Sequence, residues 1–184
     1  MWKRYDNIIS ISDDVTKSFV KTFPSLKNKI VMIENIMPMK YMQDLANAFS
    51  AEEEMPKNSV SLLTIGRFSP PKKMDEIPQI CKRIRESGID AKWYLIGFGG
   101  DEALIRQRIA EAGAEDFVII LGKKENPYPY IKACDIYIQP SRYEGKSVAV
   151  REAQILGKPV IITNYATAAS QLKDGVDGVI VPMD

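Results

Sequence analysis

The chain has 184 residues, of which 45% are hydrophobic, and this is enough for one packed domain with a real core. Its 25 basic and 24 acidic side chains leave a net charge of +1, which argues against nucleic acid as a partner. No apolar run is long enough to span a bilayer and the first residues do not resemble a signal peptide, so the sequence predicts a cytoplasmic protein.

Histidine is absent, and Cys81 and Cys134 are the only cysteines. Without histidine, Ser-His and Cys-His catalysis and the commonest zinc ligand are excluded. The sequence also contains no Asp-x-Asp pair, so no metal site is predicted. Both cysteines lie in apolar segments without a C-x-x-C pattern, and we expect two buried, unpaired thiols.

The first 34 residues have the pattern of a strand, a helix and a second strand. Asn7 to Ile11 and Ile30 to Ile33 are apolar runs of strand length. Between them, Ser12 is a typical N-cap, and the negative charges of Asp13 and Asp14 in the next turn would stabilise a helix through its dipole. A helix is therefore predicted directly after Ser12.

Residues 35–57 connect this unit to the rest of the chain. The sequence predicts a short helix from Met39 to Phe49. The acidic stretch Ala51 to Pro56 has no periodicity and ends at a proline, so we expect an exposed connector there.

From Ser59 onward, apolar strands alternate with amphipathic helices. This alternation predicts an α/β fold with a Rossmann-like, doubly wound parallel sheet. In such sheets ligands bind beyond the carboxyl ends of the strands. The predicted elements are Val60–Ile65, Met74–Glu86, Lys92–Ile96, Asp101–Ala112, Phe117–Leu121, Tyr130–Ala133, Ile136–Ile138, Ser147–Leu156, Pro159–Thr163, Ala168–Leu172 and Gly178–Pro182.

The turn Ser141 to Gly145 follows one of these strands and precedes a helix. Free amides at such a turn, together with the helix dipole, suit a phosphate or diphosphate. Glu144 and Glu152 bracket the turn, and carboxylates beside a phosphate site make sense as acceptors for sugar or ribose hydroxyls. The pattern therefore predicts a nucleotide-sugar ligand.

A second turn, after the strand Val60–Ile65, carries the best local source of positive charge. Arg67 and Lys72 offer a bidentate guanidinium and a point-charge ammonium, which are complementary groups for phosphate oxygens. Lys73 adds a third cation, and Lys146 and Ser147 add an ammonium and a hydroxyl at the first turn.

Two further segments directly follow predicted strands. Gly97-Phe98-Gly99 resembles the start of a dinucleotide fingerprint, but Glu102 takes the place of its third glycine, which argues against a dehydrogenase. The loop from Lys123 to Tyr130 is explained equally well as a base-binding loop or as a proline-stiffened connection.

These motifs, in this order, resemble the retaining glycosyltransferases of the GT-B fold, family 4, and their C-terminal donor-binding domain. The likeness rests on Glu144-x7-Glu152 with Gly157-Lys158-Pro159, and on the turns containing Gly66-Arg67, Gly97-Phe98-Gly99 and Leu121-Gly122. It spans nearly the whole chain.

The resemblance implies transfer of a sugar from a nucleoside diphosphate donor, weakly favouring a UDP-sugar, to an acceptor hydroxyl with retention and without a metal or other cofactor. Arg67, Lys72 and Glu144 would be catalytic, with the two cations on the leaving diphosphate and Glu144 on the sugar. Glu152 would bind the ribose. The other donor-binding residues would be Gly66, Gly97, Gly99, Lys123, Gly145, Lys146, Ser147 and Val148.

The same resemblance implies a division of the chain. Residues 1–34 would be an entry segment shared with an acceptor lobe that this chain lacks, and residues 35–184 the nucleotide-sugar-binding domain, truncated at its C-terminus. We expect a hexosyltransferase of surface polysaccharide or glycoconjugate synthesis, whose full-length form associates peripherally with membranes and whose fragment alone is inactive. A nucleotide-sugar epimerase or phosphorylase of the same fold, and a non-catalytic nucleotide-sugar-binding module, remain as alternatives.

Overall fold

The computed structural model describes residues 2–183, and it begins with a small unit of two parallel strands. β1 (Ile8–Ser10) pairs with β2 (Ile30–Met32), and α1 (Asp13–Thr22) joins them. The Ser12 hydroxyl oxygen accepts a 3.2 Å hydrogen bond from the Val15 amide, so the predicted N-cap is confirmed. Short 3-10 turns cover Trp2–Arg4 and Pro24–Lys29.

The connection to the main sheet is more buried than its composition suggests. α2 (Met39–Ala46) is followed by a turn in which Ala51 and Met55 are only 4% and 2% exposed. Glu54, next to Met55, lies 2.6 Å from the Lys124 ammonium. The prediction of an exposed connector from Ala51 to Pro56 is confirmed for the three glutamates, which are exposed in a turn, and is wrong for Ala51 and Met55, because these two apolar side chains, four residues apart, both face the core.

The rest of the chain alternates strands and helices. Its elements are β3 (Val60–Ile65), α3 (Ile77–Glu86), β4 (Ala91–Ile96), α4 (Glu102–Ala112), β5 (Val118–Gly122), α5 (Tyr128–Ala133), β6 (Ile136–Gln139), α6 (Val148–Ile155), β7 (Val160–Thr163), α7 (Ala168–Gln171) and β8 (Val179–Val181). Two single-turn 3-10 helices, Pro70–Lys72 and Met74–Glu76, precede α3. The six strands form one parallel sheet in the order β5-β4-β3-β6-β7-β8, so the predicted doubly wound sheet is confirmed.

A hydrophobic core lies on each face of this sheet. On one face α5 and α6 cover Leu63 and Tyr137, and on the other α3 and α4 cover Leu62 and Trp93. Cys81 and Cys134 lie in opposite cores, and both are free and buried, as predicted. Within residues 2–183, no helix combines the length and the apolar character needed to cross a membrane.

The strand order creates a crevice in the middle of the sheet. From β3 the chain moves outward through β4 to β5, and it then returns to β6 on the other side of β3 before moving outward to β8. The loops after β3 and β6 consequently diverge at their carboxyl ends, which is the point where ligands bind in this class of sheet. Both motif-bearing turns lie at this point.

Candidate active site

The two turns predicted to bind the nucleotide-sugar, one after β3 and one after β6, are in direct contact. The Lys72 ammonium, after β3, lies 2.5 Å from Oε1 of Glu144, after β6. Glu144 is only 8% exposed, so this ion pair is largely shielded from water. Gly66 lies next to this pair, since an added Cβ there would be in ordinary contact with Cε of Lys72 at 3.5 Å and would lie 3.2 Å from Cε of Met74.

Buried polar side chains also fix Glu144 through hydrogen bonds. The Ser141 hydroxyl donates to Glu144 Oε1 at 2.7 Å, and the Gln139 amide nitrogen donates to the Ser141 hydroxyl at 2.9 Å. The Tyr137 hydroxyl in turn donates to Gln139 Oε1 at 2.7 Å. Thr167 donates to the Glu144 carbonyl at 2.9 Å, so both the backbone and the side chain of Glu144 are fixed.

The turn after Glu144 opens α6 with a side-chain cap. Ser147 is the N-cap, and its hydroxyl accepts from the Val150 amide at 3.5 Å. The Ser147 amide donates to Gln171 Oε1 at 3.1 Å, so this amide already has a partner inside the protein. Lys146 lies 2.6 Å from Glu34, which joins the turn to the N-terminal unit. Amides for a phosphate would therefore come from Gly145, Lys146 and Val148, which bond to none of residues 2–183.

Glu152 lies on α6 and faces α5. The Tyr128 hydroxyl donates to its Oε1 at 3.1 Å. Burial raises the pKa of Glu152 above its usual value, and the Tyr128 hydrogen bond partly opposes this shift. Burial, followed by the charge of Glu152, raises the pKa of Tyr128 to about 12. Glu152 is therefore a half-buried carboxyl group between α6 and α5.

The glycines after β4 are required by the packing of the protein itself. Gly97 and Gly99 have φ values of +151° and +157°. A Cβ on Gly97 would lie 1.9 Å from the Gly66 carbonyl oxygen, and one on Gly99 would lie 2.2 Å from the Phe68 carbonyl oxygen. Only glycine lets these two loops approach so closely.

A cavity of about 280 Å³ lies between these loops and the loop after β5. Arg67 is exposed and lines it, and so do Phe98, Lys123 and Pro127. Phe98 is 54% exposed, with the Lys123 ammonium 5.8 Å from the centre of its ring. The structure thus places Gly66, Arg67, Gly97 and Lys123 around one cavity beside the Lys72–Glu144 pair.

Several residues of the site are not apparent from motifs. Tyr137 and Gln171 are polar side chains buried within a predicted strand and a predicted helix, and Gln139 is buried directly after that strand. Tyr128 lies in the loop that the sequence explains equally well as a base-binding loop or as a proline-stiffened connection. The one local signal is a glutamine directly after the apolar run of β6, since buried glutamine needs hydrogen-bond partners. Among residues 2–183 no cluster of three or more acidic or cysteine side chains could hold a metal ion.

The family model for glycosyl transferases group 1 matches residues 47–184. The chain belongs to this family. Its β-sheet and its neighbours among solved structures identify the fold as one lobe of the GT-B architecture.

Two relatives illustrate the match. An uncharacterized glycosyltransferase of Methanocaldococcus jannaschii is 27% identical over 172 residues, which are 92% of this chain and 42% of that protein. The amylovoran biosynthesis glycosyltransferase AmsK of Erwinia amylovora is 27% identical over 129 residues, covering 66% of this chain and 32% of that protein. The chain thus spans less than half the length of these curated relatives.

Solved structures share the fold across nearly the whole chain. Anabaena HepE, in complex with UDP-glucose, superposes with a TM-score of 0.84 at 19% identity, over 97% of this chain and 50% of that one. TarM of S. aureus, in a complex that includes UDP, gives a TM-score of 0.81 at 17% identity, over 98% of this chain and 34% of that one.

Proposed function

We propose that this chain is the donor-binding lobe of a retaining glycosyltransferase of family 4, which transfers a sugar from a nucleoside diphosphate to an acceptor hydroxyl. The observation that carries the proposal is the contact between Lys72 and Glu144 at the switch point of the sheet. A donor with a glycosidic phosphate bond needs a cation on the phosphate and an acceptor on the sugar within a few ångströms of each other, and this pair supplies both.

Each part of the donor has a matching group. Arg67 and Lys72 neutralise the diphosphate and stabilise it as it leaves, and the amides of Gly145, Lys146 and Val148 add donors at the start of α6. Glu144 accepts from sugar hydroxyls near the reacting carbon, and Glu152 accepts from the ribose. Charge neutralisation by side chains and amides takes the place of a metal ion or other cofactor.

The cavity beside Lys123 and Phe98 is the place for the nucleobase. UDP is our preferred nucleotide because the HepE and TarM complexes of similar fold contain it. The donor sugar would be a hexose. Polysaccharide or glycoconjugate synthesis is the preferred process because AmsK is named for amylovoran biosynthesis.

The acceptor would bind to a second lobe carried by a longer protein. Residues 1–34 would be shared with that lobe, and residues 35–184 would form the donor domain. The present chain should therefore bind donor without turning it over. We place the complete enzyme in the cytoplasm, in peripheral contact with a membrane that presents its acceptor.

The test is a thermal-unfolding screen with UDP, GDP, ADP and TDP. At about 100 times the dissociation constant, a bound nucleotide adds about 2.7 kcal/mol of stability, a shift of roughly 5–10 °C for this size. Replacing both Arg67 and Lys72 by Met should abolish the shift, whereas Lys57→Met, on the exposed connection before β3, should retain it. If none of the four nucleotides shifts the midpoint, the proposed function is wrong.

A further inference from the structure

The carboxylate of Glu144 is the last member of a buried chain of hydrogen bonds that begins in the core. The chain runs from the Tyr137 hydroxyl to Gln139 Oε1 at 2.7 Å, from Gln139 Nε2 to the Ser141 hydroxyl at 2.9 Å, and from Ser141 to Glu144 Oε1 at 2.7 Å. Tyr137, Gln139 and Ser141 each have no exposed surface. These three residues form a hydrogen-bonded relay behind Glu144.

Every hydrogen bond of the relay has one permitted direction. A carboxylate facing the Lys72 ammonium can only accept, so the Ser141 hydroxyl must donate to it. The Ser141 oxygen then accepts from the Gln139 NH₂ group, which places the amide oxygen toward the Tyr137 hydroxyl. Since an amide cannot pass protons along this path as a hydroxyl does, the relay fixes geometry and does not transfer protons.

Burying the polar side chains of the relay costs free energy, and packing alone does not explain why they are there. Gln139 ends a strand whose preceding residues are Ile136, Tyr137 and Ile138, and an aliphatic side chain would fill its buried position without needing partners. A fully satisfied buried network instead gives rigidity and one defined geometry. Among residues 2–183, the carboxylate that the relay holds in place is the only one in contact with Lys72.

The relay also decides which oxygen of Glu144 is available to a ligand. Oε1 accepts from both Ser141 and Lys72, whereas Oε2 bonds to no group within residues 2–183. A carboxylate clamped through one oxygen presents the other in a constant direction. That free oxygen lies beside the Lys72 ammonium, where the donor sugar would meet the diphosphate.

We propose that Tyr137, Gln139 and Ser141 are positioning residues that orient Glu144 so that Oε2 receives a hydroxyl of the donor sugar. The inference rests on the proposed function, because it concerns the sugar half of the same donor. It assigns recognition of the sugar, as distinct from the nucleotide, to core residues that touch no ligand.

Calorimetric titration with UDP and with UDP-glucose tests the proposal. The dissociation constant for UDP divided by that for UDP-glucose measures the contribution of the sugar to affinity. A purely structural change would not alter this ratio. Ser141→Ala should reduce this ratio by about threefold to tenfold and leave the affinity for UDP within about twofold. Tyr137→Phe, which removes only a hydroxyl at the far end of the relay, should produce a smaller reduction of the same kind.

Ser61→Ala is the matched control. Ser61 is also a buried serine on the sheet, and its hydroxyl donates to the Asp135 carboxylate at 2.8 Å, but it lies at the amino end of β3, away from the crevice. Its loss should leave the ratio unchanged. If the thermal screen selects another nucleotide, that nucleotide and its glucose conjugate replace UDP and UDP-glucose, and if the unaltered chain binds none of the four nucleotides, both proposals fail. In the other case, the unaltered chain binds both ligands while Ser141→Ala and Tyr137→Phe leave the ratio unchanged. That result overturns only the relay proposal.

Discussion

Tyr128 and Glu152 join α5 to α6 through a hydrogen bond of 3.1 Å from the tyrosine hydroxyl to Oε1 of the glutamate. Burial raises the pKa of this carboxyl, so the folded protein holds its proton more tightly than the unfolded chain does. The stability gained from protonated Glu152 is complete below the unfolded pKa and is lost as the pH rises through the folded pKa.

We therefore expect Glu152→Gln to be more stable than the unaltered chain at pH 7, because the variant avoids burying a charge. The difference should shrink as the pH falls toward the ordinary carboxyl value of 4.5. Urea unfolding at a series of pH values measures this. Tyr128→Phe should enlarge the pH dependence, because it removes the hydrogen bond that lowers the pKa of Glu152. A difference that does not change with pH would contradict the assignment.

Glu144 and Glu152 should differ in the part of the donor that each one senses. Glu152→Gln should weaken binding of UDP about tenfold or more, because the ribose is present in it and a charge-assisted hydrogen bond worth about 1.5–3 kcal/mol is reduced. Glu144→Gln should spare UDP and weaken only the additional affinity of UDP-glucose. Equal losses for both ligands in both variants would refute these roles.

The Lys72–Glu144 pair should be energetically coupled even without ligand. With side-chain exposures of 21% and 9%, removing one partner leaves the other charge poorly solvated. We expect Lys72→Met and Glu144→Gln each to lower the free energy of unfolding by about 1.5–3 kcal/mol. The double variant should lose at least about 0.5 kcal/mol less than the sum of the two, as measured by chemical denaturation. Simple additivity would show that the contact contributes nothing in solution.

Lys73 has a left-handed backbone, with φ of +56° and ψ of +30°, and it is the one non-glycine residue with positive φ among residues 2–183. This conformation costs a side-chain-bearing residue roughly 1–2 kcal/mol. Lys73 also lies 3.1 Å from Glu76, and Lys73→Ala controls for the loss of that ion pair. We expect Lys73→Gly to be about 1 kcal/mol more stable than Lys73→Ala, as measured by thermal unfolding. Equal stability would show that the backbone relaxes in solution.

The N-terminal unit should open more easily than the sheet. Ile9, Met32 and Ile33 are 64%, 51% and 51% exposed, and β1 and β2 pair with each other and not with the main sheet. Hydrogen exchange should show the amides of β1 and β2 opening well below the global stability, while those of β3 stay protected. Uniform protection would show that the unit is an integral part of this domain.

The strands and helices follow from local sequence, and so they could be predicted. Val60–Ile65 is a strand with the predicted bounds, and Ser12 caps its helix, because each signal lies within a few consecutive residues. Within Ala51 to Pro56 the prediction of exposure failed only for Ala51 and Met55, because two apolar side chains are too few to produce a periodic signal.

The sequence by itself determined the fold class, the family and the positions of the charged residues in the two turns, since these depend on residue type and order along the chain. Only the tertiary structure decided that Lys72 contacts Glu144 and that the Ser147 amide donates to Gln171. The same holds for the hydrogen bonds that link Tyr137, Gln139 and Ser141 to Glu144. The reason is that β3 and β6 are neighbours in space but distant in sequence, so their contacts arise from the order of strands in the sheet.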